Sequence, residues 1–569
     1  MSRIGVFVCH CGHNIAGTVD VEEVVKQLNL NPDVAFAVDY KYMCSDPGQQ
    51  LIRESIAKHS LDGVVVAACS PAMHETTFRR TVSDAGLNAY RCESANIREQ
   101  CSWVHQNDKE RATIKAAAIT RSIVEKVKGN TELEPLTLPL TRRSLVVGGG
   151  IAGMQAALDI ADAGYPVILV ERSERLGGNM NNLSGTYLNF NAAPDLLRKR
   201  IVKVSQHPNI QVLMNAEVME VTGYVGNFHV KVEQKSLEPT IFTFDIGAII
   251  VATGWQQFDL ARLPQYGGSI IPDVVDALTF ESMLAPGEQI RRPSDGKTPQ
   301  EIVFVQCAGS RDRENGVPYC SKVCCMVVAK QAVMYKERVP GGQAYVFYTD
   351  IRSAGKGYDE YVQSAMNDHK VLYLRGKVSR VFQDDGKVIV WGSDTLSNRS
   401  VEIAADLVIL ATPMVPNSSA AELGQRLHIS TDANGFYNEA HPKLRPVETL
   451  TAGIYLAGTG QGPKDIPETV AQASGAAAKV LQLFSHDEMT QSPLVAQVDP
   501  ERCSACGICV QICPYGARQI HPIRNIATVN AALCQSCGAC VVACPNKASQ
   551  VANWRAEQVL GMVDELMSR

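Results

Sequence analysis

The sequence predicts an α/β protein built from three units. Three observations carry this. Strand-like and helix-like segments alternate over residues 1–128, a glycine-rich turn joins a short apolar strand to a helix at Ser144–Ala163, and two matching cysteine runs stand near the C-terminal end. A chain of 569 residues has room for about three or four domains. Its 45% hydrophobic and 20% charged residues are ordinary for a globular protein. A net charge of −5 leaves no basic footprint for nucleic acid. The longest apolar runs, such as Gly63–Ala68 and Ile246–Ala252, are too short to span a bilayer. Met1–Val8 carries one Arg and meets Cys9 and His10 at once, unlike a signal peptide. Eighteen cysteines in such a chain point to metal or redox chemistry in a reducing compartment, hence to a cytoplasmic protein.

The first unit, residues 1–128, reads as an N-terminal α/β iron–sulfur domain. Ile4–Val8 and Gly63–Ala68 are buried strands, Val21–Leu28 and Leu51–His59 are helices, and Asn96–Val127 is a long helical stretch. Cys9 and Cys69 each close a strand, so both fall at one edge of a sheet. Cys9, Cys11, Cys44, Cys69, Cys92 and Cys101 offer more than the four thiols a [4Fe–4S] cluster needs. A catalytic cysteine is the weaker reading, because no base is placed beside one. His10, His13, His74 and His105 read as hydrogen-bonding residues. Residues 129–143, with two prolines and little periodicity in Gly129–Thr141, read as a linker.

The second unit, residues 144–484, opens on Ser144–Val147 and the helix Ile151–Ala163. Gly148, Gly150 and Gly153 form a GxGxxG between them. The first allows a tight turn, the second lets the backbone approach a pyrophosphate, and the third lets helix pack on strand. The helix N-terminus adds donors and a favourable dipole. Glu171, followed by Arg172, ends the next strand 23 residues after Gly148, where a carboxylate can accept from ribose hydroxyls. The pair Gly177–Gly178 suits a second close approach of backbone to phosphate. Ile249–Gly254, ending in Thr253 and Gly254, resembles the strand-and-turn of two-dinucleotide-domain flavoproteins. Ile454–Gly460, with Gly458 and Thr459, resembles their late flavin strand, although Thr459 stands where those proteins usually have Asp. The set favours FAD over NAD. Residues 210–252 read as β-rich, an α/β stretch runs from Gln300 to about 412, and a helix covers about Pro467–Phe484.

In a thioredoxin-reductase-like flavoprotein a second GxGxxG would follow near residue 305. Here the strand Ile302–Val305 runs into Cys307, then Cys320, Cys324 and Cys325. Four thiols within nineteen residues can ligate one [4Fe–4S] cluster. A redox disulfide would call for CxxC, which is absent from this segment, and inert buried cysteine does not account for four so close together.

A polar connector, 485–498, leads to residues 499–569. Cys503, Cys506, Cys509 and Cys513 are followed by Pro514, and Cys534, Cys537, Cys540 and Cys544 by Pro545, each as CxxCxxCxxxCP. This is the two-cluster ferredoxin spacing, in which the fourth ligand of each run serves the other cluster. One cluster is expected on Cys503, Cys506, Cys509 and Cys544, the other on Cys534, Cys537, Cys540 and Cys513. Zinc and a disulfide framework are the weaker readings. The ferredoxin pair is the one internal repeat visible in the sequence.

Gly5–Gly12, Lys41–Cys44, Ala68–Pro71, Asn96–His105, Cys307–Asp312 and the Cys320/Cys324/Cys325 set resemble the A-type subunits of heterodisulfide reductase, the HdrA-like family, over nearly the whole chain. The resemblance implies an α/β protein with an N-terminal α/β cluster domain, a thioredoxin-reductase-like, FAD-binding Rossmann-type domain and a C-terminal two-cluster ferredoxin domain of α+β type. It implies the short form, because the ferredoxin inserted between the flavin halves of longer members has no counterpart here. It places Cys9, Cys11, Cys44, Cys69 and Cys101 in ligand motifs and leaves Cys92 outside them. Four [4Fe–4S] clusters and one FAD are expected. The family's flavin is proposed to bifurcate electrons, and Lys356 matches a lysine-bearing loop that would tune it; the alternatives are a solvent-exposed lysine and a hub that only relays electrons. A pyridine-nucleotide disulfide reductase is a third reading. The partners implied are B- and C-type subunits, a hydrogenase, formate dehydrogenase or other source of electrons, and free ferredoxin, in a dimer of hetero-oligomers.

Overall fold

The computed structural model of the chain describes residues 2–189, 191–236 and 238–567. It divides into two compact units, one made of residues 1–138 together with 490–569, the other of 139–489.

In the first unit four parallel strands lie in the order Val34–Tyr40, Ile4–Cys9, Gly63–Ala68, Cys92–Asn96. The two central strands are buried along their whole length and so read as unbroken apolar runs. The outer two escape the apolar pattern, because Val34–Tyr40 mixes buried and half-exposed positions and Cys92–Asn96 carries Glu93, Ser94 and Asn96. Ser45 caps the helix Asp46–His59 by accepting from Gly48 N, which sets its start five residues before Leu51. The expected helix from Asn96 is shorter: it runs Lys109–Lys128, capped by Asp108. The preceding residues serve a loop, in which Glu99 Oε2 accepts from Ser70 N at 2.9 Å. The order in which strands are added switches sides between the neighbours Ile4–Cys9 and Gly63–Ala68, and the crevice beyond the carboxyl ends at such a switch point is where these sheets bind ligands.

The tail of the same unit has two antiparallel ribbons, Ala496–Val498 with Ser549–Val551 and Arg518–Ile520 with Ala527–Val529. Its helix Ala556–Met567 meets Lys109–Lys128, where Gln558 Nε2 donates to Lys126 O at 3.0 Å and to Asn130 Oδ1 at 2.8 Å. Lys126 is fully buried; its ammonium pairs with Glu93 and lies 4.2 Å from the Trp554 ring centroid. Within the segment read as a linker, Thr131 N donates to Asn553 Oδ1 at 2.8 Å, and Leu136–Pro139 is a short strand.

The second unit contains a repeat that the sequence hides. Five parallel strands, ordered Ile454–Leu456, Ala248–Val251, Ser144–Val147, Val167–Val170, Ile210–Leu213, carry a three-stranded antiparallel meander over 216–246. A second five-stranded sheet, ordered Val274–Asp276, Leu407–Leu410, Glu301–Val305, Gln343–Tyr348, Leu372–Arg375, carries a like meander over 378–405. In each half the central strand feeds a turn and then a helix, Ile151–Asp162 in the first and Cys324–Arg338 in the second. The ferredoxin pair is therefore not the only repeat. The second copy lacks the glycine signature by which the first is recognised.

Candidate flavin cavity and thiol clusters

A cavity of about 710 Å³ opens in the second unit. Gly148, Gly150, Glu171, Arg172, Gly177, Gly178, Thr253, Gly254 and Thr459 all line it. Gly148 has φ +110, and a Cβ there would lie 2.3 Å from Ala252 O. A Cβ on Gly153 would lie 1.8 Å from Gly148 O, so only glycine lets this helix seat on its strand. A Cβ on Gly178, at φ +53, would meet Gly150 Cα at 3.2 Å. Two bare backbone segments thus face each other at the helix N-terminus, a cradle that fits the pyrophosphate of a dinucleotide. Glu171 Oε2 accepts from Gly149 N at 2.6 Å, and its Oε1 accepts from Ser173 N at 2.8 Å, which fixes the carboxylate at the cavity wall. Arg172 Nη1 donates to Asn417 Oδ1 at 2.9 Å. Gly458 lies just outside the lining, its N–H donating to Gln472 Oε1 at 2.7 Å.

At the other end the helix Ile466–Phe484 begins with a capping box, Asp465 and Glu468. Asp465 Oδ2 accepts from Tyr187 OH at 2.8 Å and from Tyr358 OH at 2.7 Å, and both rings line the cavity edge to face. Lys464 also lines it. Its Nζ donates to Gln461 Oε1 at 2.7 Å, and burial, opposed by Glu468 and Glu439, pushes its amine down to about 8. Lys330 and Glu281 form a buried pair in the wall, 2.6 Å apart, with Ser184 Oγ donating to the same carboxylate oxygen at 2.6 Å.

Lys356 is not brought into the lining. It stands exposed between Gly355 and Gly357, while Tyr358, two residues on, reaches the cavity. The cavity lysines are Lys464 and Lys330. The sequence carries a signal for each: Asp465-x-x-Glu468 with Pro467 marks a helix start, and Lys330 interrupts an apolar helix. The tyrosines leave no such trace.

At the turn of the second half stand the interior cysteines. Cys307 has φ +58 and interacts electrostatically with Cys320 and Cys325, and Cys324 Sγ–H donates to Cys325, pulling that thiol down. Lys322 N donates to Cys320 Sγ at 3.3 Å, and Arg311, paired with Asp350, adds a cation beside Cys307 and Cys320. Cys324, at the first position of its helix, lines the same cavity as Gly150 and Gly178. Four thiols, a backbone donor and a cation suit an anionic cluster.

In the first unit Cys9, Cys11, Cys44 and Cys69 gather at the carboxyl edge of the sheet. Cys11 N and Met43 N donate to Cys9 Sγ at 3.3 and 3.4 Å, Cys11 and Cys44 act on Cys9, and Cys11 acts on Cys69. Burial pushes Cys9 up to about 11. Arg98 Nη1 lies 3.3 Å from Cys11 Sγ. Cys101 departs from the group: it is fully buried, and its thiol donates to Ala112 O at 3.0 Å in the core under the long helix. Cys92 is buried within its strand, its thiol pushed up by desolvation.

In the tail, Cys503, Cys506, Cys509 and Cys544 line one small cavity, and Cys513, Cys534, Cys537 and Cys540 line another. Ala505 and Gly507 in one run and Ser536 and Gly538 in the other take left-handed φ, wrapping the loops around each cavity. Backbone N–H groups of Ala527, Ala496 and Ala548 donate to Cys503, Cys534 and Cys544 Sγ at 3.3, 3.3 and 3.2 Å. Four thiols ringed by amides form a donor set that fits a [4Fe–4S] cluster.

Two nucleotide-type sheets around a glycine-cradled cavity, with two ferredoxin motifs in the same chain, define an oxidoreductase component that depends on FAD and iron–sulfur clusters. Residues 142–303 match the pyridine nucleotide-disulphide oxidoreductase family, and residues 496–519 and 527–549 match the 4Fe–4S binding domain. The chain is 41% identical to the second A-type iron–sulfur subunit of CoB–CoM heterodisulfide reductase from Methanopyrus kandleri, over 91% of each protein. It is 38% identical to the A-type subunit of the H2:CoB–CoM heterodisulfide,ferredoxin reductase from Methanothermobacter thermautotrophicus, over 100% of this chain and 97% of that one. A T. acidophilum thioredoxin reductase structure is similar at 17% identity and TM-score 0.41, covering 61% of this chain and 100% of its own. The chain belongs to the family of heterodisulfide reductase A-type subunits. Among the described residues no helix is long and apolar enough to cross a membrane.

Proposed function

We propose that this chain holds one FAD and four [4Fe–4S] clusters and divides or merges electrons among a two-electron donor, ferredoxin and a disulfide or other acceptor on partner subunits. The observation that carries the reading is Cys324. It lines the cavity that Gly150, Gly178 and Thr459 also line, and it belongs to the interior thiol set. A bound FAD converts two-electron into one-electron chemistry. The chain's own residues cradle its phosphates, fix Glu171 toward its ribose and place a one-electron carrier in the wall beside it.

The cluster ligands in this reading are Cys9, Cys11, Cys44 and Cys69; Cys307, Cys320, Cys324 and Cys325; Cys503, Cys506, Cys509 and Cys544; and Cys513, Cys534, Cys537 and Cys540. Cys506 and Cys537 are exposed and give the tail an outlet to a partner. The names of relatives mention hydrogen, formate, F420H2 and ferredoxin. For this chain we infer B- and C-type subunits, with a hydrogenase, formate dehydrogenase or ferredoxin supplying electrons. A potentiometric titration of the flavin tests the proposal. Bifurcation expects the second electron to enter more readily than the first. The ordinary order would leave a hub that only relays.

A further inference from the structure

The two ferredoxin half-motifs align residue for residue through their prolines, Cys513-Pro-Tyr-Gly-Ala-Arg518 against Cys544-Pro-Asn-Lys-Ala-Ser549. Arg518 therefore occupies the place that Ser549 holds in the other half. The two side chains meet across the pseudo-symmetry, with Arg518 Nη2 donating to Ser549 Oγ at 3.1 Å.

Arg518 is 4% exposed. The same Nη2 lies 2.9 Å from Cys540 Sγ, and Arg518 lines the cavity of Cys513, Cys534, Cys537 and Cys540. Its Nη1 has no hydrogen-bond partner among the described residues, and no carboxylate among them forms an ion pair with it. A buried guanidinium without a counter-ion is costly, and it is retained where an anion answers it. Four thiolates around a cluster supply that anion. In the other half the place of Arg518 is held by the neutral Ser549, which lines the cavity of Cys503, Cys506, Cys509 and Cys544. Arg518 also acts electrostatically on Cys509 of that set, but its hydrogen bond goes to Cys540 and it lines only the cavity of Cys513, Cys534, Cys537 and Cys540.

We propose that Arg518 breaks the symmetry of the ferredoxin module and makes the cluster on Cys513, Cys534, Cys537 and Cys540 the one that takes the first electron. Reduction adds one electron and no proton to that cluster, raising its negative charge by one, and a fixed neighbouring cation stabilises the reduced form more than the oxidised one. The electron comes from the flavin or, in the test, from dithionite. The inference rests on the reading that this module holds two clusters.

The test is an EPR-monitored redox titration of the full chain with clusters assembled, with iron counted first. The wild type should show two unequal one-electron steps from the ferredoxin module. Arg518→Gln should lower the upper step, shrinking the preference for that cluster by about tenfold or more, and Arg518→Lys should keep most of it. If the wild type reduces both clusters in one step, or if Arg518→Gln assembles both and leaves the steps in place, the inference is overturned. Should Arg518→Gln fail to assemble, the wild-type steps and Arg518→Lys still decide. An iron count too low for two tail clusters would instead overturn the reading on which the inference rests.

Discussion

The two halves of the flavin unit share one topology and part company at a single turn. In the first half the central strand, ending at Val147, runs through Gly148, Gly149 and Gly150 and enters its helix at once. In the second the strand, ending at Val305, runs through Gln306 and Cys307, wanders through Cys320, and enters its helix at Cys324. The sheet, the meander and the helix are kept, and the chemistry of the turn is replaced. A dinucleotide cradle becomes a thiol cradle without disturbing the scaffold that positions either one. Function here resides in loops at the carboxyl ends of strands, and the fold is only their mount.

The comparison breaks first at the glycines. Gly153→Val puts side-chain atoms into Gly148 O, and FAD content should fall at least about 100-fold, read by flavin fluorescence after denaturation, while the tail clusters persist. Cys324→Ser attacks the other turn. It should remove about a quarter of the iron and leave FAD bound, measured by iron and flavin assays on one sample. Losing both together would mean that the two turns do not act separately.

The halves are also pinned to each other by Lys330, Glu281 and Ser184. Glu281→Gln leaves the buried ammonium without its charge partner and should cost about 3–5 kcal/mol in denaturant unfolding. The smallest effect belongs to Lys464. Its amine is charged up to about pH 8 in the folded chain and up to 10.5 unfolded, so the unfolded state binds more protons between those values. The wild type should therefore gain stability relative to Lys464→Met as pH rises from 8 to 10.5, on the order of 1–3 kcal/mol, with no relative change below 8.

Much of this is legible in the residues. The Cys spacing marks the tail, and GxGxxG with the Ala252–Thr253–Gly254 turn marks the flavin cradle, because both are local and each position has one geometric job. The second Rossmann-like half is not legible as a repeat, since the glycines that betray such a half are the residues it has replaced. The edge strands Val34–Tyr40 and Cys92–Asn96 escape the sequence reading because polar residues interrupt their apolar signal. Lys356 matches a loop motif yet stays outside the cavity, whereas Lys464 enters it beside the capping box of Asp465 and Glu468, whose pattern marks a helix start in the sequence but not the cavity that helix faces. The contact between Lys109–Lys128 and Ala556–Met567 joins segments more than 400 residues apart, and nothing in either stretch alone announces it.

The proposed arrangement sets a flavin and an interior thiol cluster in one wall, in a chain with three further clusters. Iron and acid-labile sulfide counted against FAD in the anaerobically isolated protein test it most directly. About sixteen iron atoms per FAD are expected. About eight, with one FAD, would confine the clusters to the tail and contradict it.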